Sequence, residues 1–240
     1  MKDKEGRDFL KAQFLPPDPL KDSDQNKGIP MPPYEDAFDE AMLIALPDPK
    51  QVPLKMRDIV DVIGDRRSRR KLSNGSLSLE ALSFLLWATQ GNAKLGSKHV
   101  LRTVPSAGNR HPFDTVVHAH RVEGLAPGLY RYIPSHHALL PVPFGPDAMR
   151  PLDDYVKSNF DYALALYWVA RPYRGEWRYV EHSYKLAALD AGHIGQNAYL
   201  AAEALGINCC AVAGYMQEEI DKFLGLDGED AFACYYAVFG

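Results

Sequence analysis

The chain has 240 residues, of which 46% are hydrophobic and 24% charged, and its formal net charge is −4. This composition is typical of a globular protein, and the near-balance of charge removes the global attraction that nucleic acid or an anionic membrane would exert, so we expect neither as a partner. Three cysteines, two of them adjacent, provide neither a disulfide framework nor a CxxC zinc site, which favours a cytoplasmic protein.

The N-terminal segment is rich in proline, with nine of the 18 prolines in residues 1–53. Proline removes backbone donors, so this segment is predicted to be an extended arm with one helix around residues 34–45. Its scattered apolar side chains favour docking over a neighbouring subunit rather than disorder. The sequence therefore predicts a Pro-rich N-terminal arm over residues 1–53 and a folded domain over residues 54–240.

Regular periodicity begins at residue 54. Apolar spacing predicts a helix that ends at Gly64, a second that is capped by Ser78 and stops at Gly91, and two more over residues 183–205 and 217–224. Runs of β-branched and aromatic residues predict strands over residues 115–122, 128–133, 163–170, 209–215 and 232–240. Because these elements do not follow strict βαβ order, an α+β fold is expected.

Two loops carry side chains suited to a ligand. Residues 66–71 read Arg-Arg-Ser-Arg-Arg-Lys, and guanidinium groups bind phosphate oxygens through paired hydrogen bonds, although a solvated basic turn has the same pattern. Residues 105–109 read Pro-Ser-Ala-Gly-Asn, a rigid loop whose polar groups suit a flat heterocycle, although a structural turn is an equal alternative. We expect no metal, because no third ligand joins the histidine pairs at a recognisable spacing.

The helix over residues 183–205 contains two interior glycines, Gly192 and Gly195. Together they cost about 2 kcal/mol of helix stability, so close approach of a second helix or of a ligand must compensate. Tight packing within a single chain is the alternative. Neither a Gly-x-Ser-x-Gly elbow nor a Gly-x-Gly-x-x-Gly or Walker loop is present in the sequence.

Five segments in order resemble the flavin-dependent nitroreductase superfamily over about residues 54–240: RRSRR, LSLEALSFLLWATQG, RTVPSAGNRHPFDTVV, GLYRY and DAGHIGQNAYLAAEALGI. Within that superfamily they are most similar to the SagB-type dehydrogenases, which include azoline oxidases. The resemblance implies a nitroreductase-like fold, with a central, mostly antiparallel sheet flanked by helices. It also implies an interlocked homodimer with FMN at the subunit interface.

The resemblance also implies roles for particular residues. Arg66, Ser68 and Arg70 match contacts to the FMN phosphate and ribityl chain, and Arg67 lies on the same loop. In the family, a loop of the second subunit flanks the isoalloxazine ring of FMN. The residues that match this loop are Pro105, Ser106, Ala107, Gly108 and Asn109. The backbone that faces the central ring is matched by Ala213 and Gly214. No catalytic side chain is assigned, because the flavin carries the chemistry; His111 is the candidate for substrate placement.

The sequence thus predicts an FMN-dependent oxidoreductase that passes hydride from NADH or NADPH, through flavin N5, to an electron-poor small molecule such as a nitroaromatic or quinone. Two alternatives stay open: a SagB-type dehydrogenase that oxidises an azoline-like substrate with oxygen, and a non-catalytic flavin-binding or storage protein. Many relatives carry a further basic residue near the C-terminus, and this sequence has none there. Binding of the FMN phosphate is therefore expected to depend on Arg66 and Arg70. Arg69 and Lys71 are expected to face outward and be dispensable.

Overall fold

The computed structural model describes residues 4–12, 20–53, 57–95, 100–143 and 161–240. The helices are α1 Lys4–Phe9, α2 Ile59–Asp65, α3 Leu79–Gln90, α4 Pro172–Tyr179, α5 Ser183–Leu205 and α6 Gln217–Leu224. The strands are β1 Ile44–Ala45, β2 Asn92–Leu95, β3 Val100–Arg102, β4 Phe113–Ala119, β5 Gly128–Ile133, β6 Ala138–Pro141, β7 Leu164–Ala170, β8 Cys209–Val212 and β9 Phe232–Phe239. Among these helices, none is both long and apolar enough to cross a bilayer.

Seven strands form one sheet in the order β1-β6-β5-β4-β7-β9-β8, and every pairing in it is antiparallel. On the central strand β7, Leu166 lies opposite Val117 of β4 and Ala237 of β9. Strands β2 and β3 form a separate antiparallel pair. The predictions of an α+β fold and of a mostly antiparallel central sheet are confirmed.

Both faces of the sheet are buried. Successive side chains of a strand point to opposite faces, so Leu166 and Trp168 of β7 join the core that includes α3 and α5 residues, whereas Tyr167 joins the core that includes Ile220 and Leu224 of α6. This double burial explains why β7 is a continuous apolar run rather than an alternating one.

The helix predictions agree with the structure where local signals are strong. Ser78 caps α3 by accepting the amide hydrogen of Ala81 at 3.2 Å, and Gly91 follows its last residue. The helix predicted to end at Gly64 begins later than predicted, since Asp58 is its cap residue and α2 starts at Ile59. Its predicted start at residues 54–56 lies outside the described residues. In α2, only Val62 is buried.

The predicted helix around residues 34–45 is wrong. This part of the arm contains a 3-10 turn at Glu40–Met42 followed by β1, which pairs with β6 at the edge of the sheet. Tertiary contacts hold it extended, since Glu35 accepts two hydrogen bonds from Ser135 and Asp36 accepts one from Arg171 at 2.8 Å. The described arm thus lies on its own chain; its docking on a neighbouring subunit and the boundary at residue 53 stay predictions.

Two strand predictions extend too far. β4 spans Phe113–Ala119 rather than residues 115–122, and β8 ends at Val212 rather than residue 215. The pairing of β8 with β9 stops where Val212 lies opposite Tyr236, so the chain beyond it leaves the sheet.

Candidate functional site

The arginine-rich turn, residues 66–70, lies between α2 and the C-terminal half of α5. Its backbone is tied to β8, because the amide of Arg69 donates to the carbonyl of Cys209 at 2.9 Å. The Tyr199 hydroxyl on α5 is 2.8 Å from Ser68 Oγ and accepts the amide hydrogen of Ala211 at 2.9 Å. Tyr199 therefore joins the turn to the end of β8.

Three guanidinium groups of the turn have distinct surroundings. Arg66 lies over the Tyr199 ring, 5.2 Å from its centroid, whereas Arg67 donates to the carbonyls of Gly64 and Arg66 at the end of α2. Arg70 is exposed. In the part of the chain that the structure describes, none of these three forms an ion pair with a carboxylate. The turn therefore presents positive charge that no carboxylate among the described residues neutralises.

The expectation that Arg69 faces outward is wrong. Its guanidinium pairs with Glu203 of α5, whose carboxylate is buried and also receives a hydrogen bond from Arg57 at 2.8 Å. The hydrogen bond from Arg69 makes the largest contribution to lowering the pKa of Glu203 below its usual value. Arg69 is thus an anchor of the turn, while the side chain of Lys71 is exposed as expected.

Ala213 and Gly214 are exposed and directly follow β8. Gly214 has open space around the position that a Cβ would take. Ala213 is two residues beyond Ala211, so it lies within about 7 Å of this residue, which Tyr199 links to Ser68. The structure therefore brings together the arginine-rich turn and the segment that the resemblance assigns to the flavin ring.

The loop over residues 105–109 is fastened to the N-terminal half of α5. Ser106 Oγ donates to Asp190 at 2.5 Å, and the amide of Ala107 donates to the same carboxylate at 3.2 Å. Burial raises the pKa of Asp190, while these two hydrogen bonds act in the opposite direction. Ser106 is therefore engaged within its own chain, whereas Pro105 and Gly108 are exposed.

Three residues in and beside the loop have a left-handed backbone, and Arg110 between them does not. Gly108, Asn109 and His111 all have positive φ, of 56°, 56° and 46°. At Gly108, a Cβ would lie 2.4 Å from the Tyr179 hydroxyl, so a larger residue would displace that side chain as well as adopt an unfavourable φ. Asn109 and His111 hold a conformation that non-glycine residues rarely adopt, and surrounding contacts must maintain it.

His111 is buried, with 3% of its surface exposed, and its Nε2 lies 2.8 Å from Asn109 Oδ1. Burial, together with the positive charges of Arg102 and Arg110, lowers the pKa of His111 to about 3. The ring is therefore neutral at physiological pH. In this geometry His111 supports the loop.

The two candidate segments lie on opposite sides of α5. Asp190 holds the loop and Tyr199 holds the arginine-rich turn, and these residues are nine positions apart. Helix geometry separates them by about 14 Å along the axis and about 180° around it. A single chain therefore does not bring the two segments to one point.

The two helix glycines have different surroundings. A Cβ at Gly195 would lie 2.5 Å from a ring carbon of Tyr235 on β9, whereas at Gly192 no described residue outside its own helical turn lies within 4 Å of that position. For Gly195 the structure therefore supports the alternative of tight packing within a single chain, and the approach of a second helix or a ligand is not needed to explain this residue. For Gly192 it stays a prediction.

A mostly apolar cavity of about 180 Å³ lies behind the loop, between α4, α5 and the start of β9. Its lining includes Pro112, Ala187, Phe232 and Cys234, together with Ser183, whose buried hydroxyl has no hydrogen-bond partner among the described residues. Within the same described ranges, no three metal-ligating side chains of the types His, Cys, Asp and Glu converge.

Several residues that shape these segments were not identified from the sequence. Tyr199 and Glu203 lie more than 130 positions from the turn that they anchor, and Tyr34 contacts Asn109 across 75 positions. Contacts between such distant positions leave no periodic or motif signal in one sequence. Asp190, Tyr199 and Glu203 all fall within the segment DAGHIGQNAYLAAEALGI, but nothing local indicates which distant residues they contact.

The family model described as the nitroreductase family matches residues 63–240. The chain belongs to the nitroreductase family. It is accordingly an oxidoreductase with a nitroreductase-like fold, as the motifs indicated.

Similar proteins agree with this assignment. A protein of Methanocaldococcus jannaschii that is named as a nitroreductase is 29% identical over 196 residues, which cover 77% of this chain and 90% of that protein. The crystal structure of a Ralstonia eutropha JMP134 protein with the same description matches with a TM-score of 0.70 and 26% identity, over 85% of this chain and 91% of that one.

A third match concerns the branch of the family. The trifolitoxin-processing protein TfxB of Rhizobium leguminosarum bv. trifolii is 28% identical over 163 residues, which cover 63% of this chain. The match spans 44% of that protein, so the chain corresponds to less than half of this relative. It supports placement in the SagB-type branch that the sequence motifs resemble.

Proposed function

We propose that this chain is an FMN-dependent oxidoreductase that transfers electrons from NADH or NADPH to an electron-poor small molecule such as a nitroaromatic or a quinone. The observation that carries the proposal is the set of guanidinium groups of Arg66, Arg67 and Arg70, which the described chain leaves without carboxylate partners, within a nitroreductase-family domain. Arginine is the side chain best suited to a phosphate, because its planar fork binds two oxygens at once.

The residues present fit FMN. Arg66, Ser68 and Arg70 would hold the phosphate and ribityl chain, with Arg67 close by, and the exposed Ala213 and Gly214 would lie against the ring. When bound, FMN supplies the transfer of two electrons and a proton as hydride. The chain's own contribution is to bind and orient: Glu203 and Tyr199 hold the turn in place, and Asp190 holds the loop over residues 105–109.

We also propose that the site is shared by two copies of the chain in a homodimer. The separation of the turn and the loop on α5 supports this, because one loop would reach the turn of the other subunit. Exposed apolar side chains on α2 and α5 further support it, namely Ile59, Val60, Ile63, Tyr184 and Leu189. Ile59 and Ile63 are about one helical turn apart on α2, and neighbouring exposed apolar side chains are typical of protein interfaces.

Absorption spectroscopy of the purified protein tests the proposed function. We expect the two visible bands of an oxidised flavin, bleaching on anaerobic addition of NADH or NADPH, and recovery of the bands on addition of 1,4-benzoquinone. A colourless protein whose fluorescence titration shows no binding of added FMN would contradict the cofactor assignment.

The match to a trifolitoxin-processing protein favours one alternative, a dehydrogenase that oxidises an azoline-like substrate with oxygen as the acceptor. The same experiment separates the two functions. A flavin that stays oxidised with both nicotinamides, but is bleached anaerobically by a thiazoline-containing peptide and recovers in air, would favour the alternative. A flavin that no donor reduces would indicate a binding or storage protein.

A further inference from the structure

The N-terminal arm contacts the loop that is assigned to the cofactor. The hydroxyl of Tyr34 accepts a hydrogen bond from Asn109 Nδ2 at 3.1 Å and a second from Arg110 Nη2 at 3.2 Å. The arm therefore places a hydrogen-bond acceptor against two consecutive loop residues. This contact was not part of the family pattern in the sequence, which begins after the arm.

Arg110 is enclosed by the arm and by α4. Its guanidinium lies between the ring of Tyr34, with 5.7 Å to the centroid, and the ring of Trp177, with 5.0 Å. Trp177 in turn donates from Nε1 to the carbonyl of Ile29 at 2.9 Å. The arm from Ile29 to Tyr34 thus packs along α4 and closes over the end of the loop.

A hydrogen-bonded chain continues from Tyr34 to α5. Asn109 Oδ1 lies 2.8 Å from His111 Nε2, and the amide of His111 donates to Ser106 Oγ at 2.8 Å. Ser106 donates to Asp190. The loop is therefore held at both ends, by Asp190 on α5 and by Tyr34 on the arm.

The strained backbone explains why the second anchor matters. Asn109 and His111 have φ values of 56° and 46°, and such conformations cost free energy in non-glycine residues unless outside contacts compensate. Tyr34 supplies such contacts to the side chain of Asn109 and, through it, to His111. Without them the loop would relax toward unstrained conformations.

We infer that Tyr34 is a positioning residue for the cofactor, which acts through Asn109 and Arg110 to hold the loop over residues 105–109 in its binding conformation. The inference rests on the proposed FMN site and adds the N-terminal arm to it. Tyr34 touches neither the reacting atoms nor the arginine-rich turn; its effect is transmitted by the loop.

The test compares two tyrosine-to-phenylalanine variants of the full chain. Tyr34→Phe removes the hydroxyl and keeps the ring against Arg110. Tyr173→Phe is the matched control, because the Tyr173 hydroxyl also links the arm to α4, donating to Asp24 at 2.9 Å, but within the described residues it forms no hydrogen bond to the loop. Each variant is measured for its FMN dissociation constant, its visible circular dichroism when loaded with FMN, and hydrogen exchange of residues 105–111 without FMN.

For Tyr34→Phe we expect the FMN dissociation constant to rise about tenfold, because the variant loses the hydrogen bonds from the Asn109 amide and the Arg110 guanidinium. We also expect a changed visible circular dichroism and faster exchange in residues 105–111. For Tyr173→Phe we expect wild-type values of all three quantities. In an Asn109→Ala background, Tyr34→Phe should have a smaller effect on FMN affinity, because its main route is removed.

The inference is overturned if the two variants behave alike, or if Tyr34→Phe lowers only the melting temperature and leaves FMN affinity and loop exchange at wild-type values. Its failure is distinguishable from failure of the proposed function. If the wild-type protein binds no FMN, the cofactor assignment fails, and hydrogen exchange in the same variants still reports whether Tyr34 holds the loop.

Discussion

Arg69 and Glu203 form an ion pair across 134 positions of the chain, and this pair fastens the arginine-rich turn to α5. The second carboxylate oxygen of Glu203 accepts from Arg57. Because Glu203 is buried, both arginines are needed to compensate for the loss of its hydration. One arginine of the turn is thus committed to the fold, and the others remain available to a ligand.

Replacement of Glu203 is expected to destabilise the turn. Glu203→Gln removes the charge that Arg69 and Arg57 share, so we expect the free energy of unfolding to fall by about 2 kcal/mol, as for the loss of charged hydrogen bonds. Urea denaturation of the apoprotein measures this. Glu219→Gln, an acidic residue in the first turn of α6, is the control and should have little effect. Equal stability of Glu203→Gln and the wild type would contradict the assigned anchor.

Replacement of Arg66 and Arg70 is expected to abolish retention of FMN. Each charge-assisted contact to a phosphate contributes about 1.5–3 kcal/mol, so each loss should weaken binding by about one to two decades. The Arg66→Ala/Arg70→Ala variant should therefore purify without colour and unfold like the wild-type apoprotein.

Lys71→Ala is the matched control for that variant, because its side chain is exposed on the same segment. Arg69→Ala is unsuitable as a control, since Arg69 binds Glu203. A double variant that retains one FMN per chain would place the phosphate site elsewhere.

Removal of the arm provides a larger test of its role. Sequence alone predicts that a chain without residues 1–50 loses stability but keeps its flavin. The contacts of Tyr34 and Asp36 lead to a different expectation: a chain that lacks residues 1–36 should bind FMN at least about tenfold more weakly, because the loop loses one anchor. A chain that lacks only residues 1–19 keeps those contacts and should bind normally. Isothermal titration with FMN distinguishes the two truncations.

Acidification is expected to destabilise the protein through His111. The pKa of this residue is about 3 in the folded chain and about 6.5 when unfolded. The unfolded state therefore binds more protons between these pH values, and the free energy of unfolding decreases as the pH is lowered through this window. For one such histidine the loss from pH 7 to pH 5 is about 2 kcal/mol. Denaturation at both pH values should show a smaller difference in His111→Asn than in the wild type. An identical difference in the two proteins would contradict the buried, neutral state of His111.

The proposed homodimer is expected to depend on the exposed face of α5. Leu189 is 53% exposed, and at Gly192, about one turn further on, the described residues leave open space where a Cβ would lie. Leu189→Glu would bury a charge in the interface, so we expect it to shift the mass in light scattering from dimer to monomer and to release FMN. A dimer of undiminished stability would show that α5 is not the interface.

Local signals were sufficient for much of the secondary structure. Ser78 and Gly91 bound α3 because a side-chain cap and a glycine stop act within one helical turn. The strand over residues 128–133 and the helices over 183–205 and 217–224 have the predicted bounds, since their apolar periodicity is strong. The order of the motifs likewise identified the family before the fold was known.

The sequence by itself determined the family, the antiparallel α+β architecture and the segments that are rich in ligand-binding side chains. Tertiary structure alone decided which arginine of residues 66–70 is an anchor, because the charge of Arg69 is cancelled by a glutamate far away in the chain. It also decided that residues 34–45 are extended and that Tyr34 contacts the loop. These outcomes depend on contacts between distant positions, whose free energy exceeds local propensity and leaves no pattern along a single sequence.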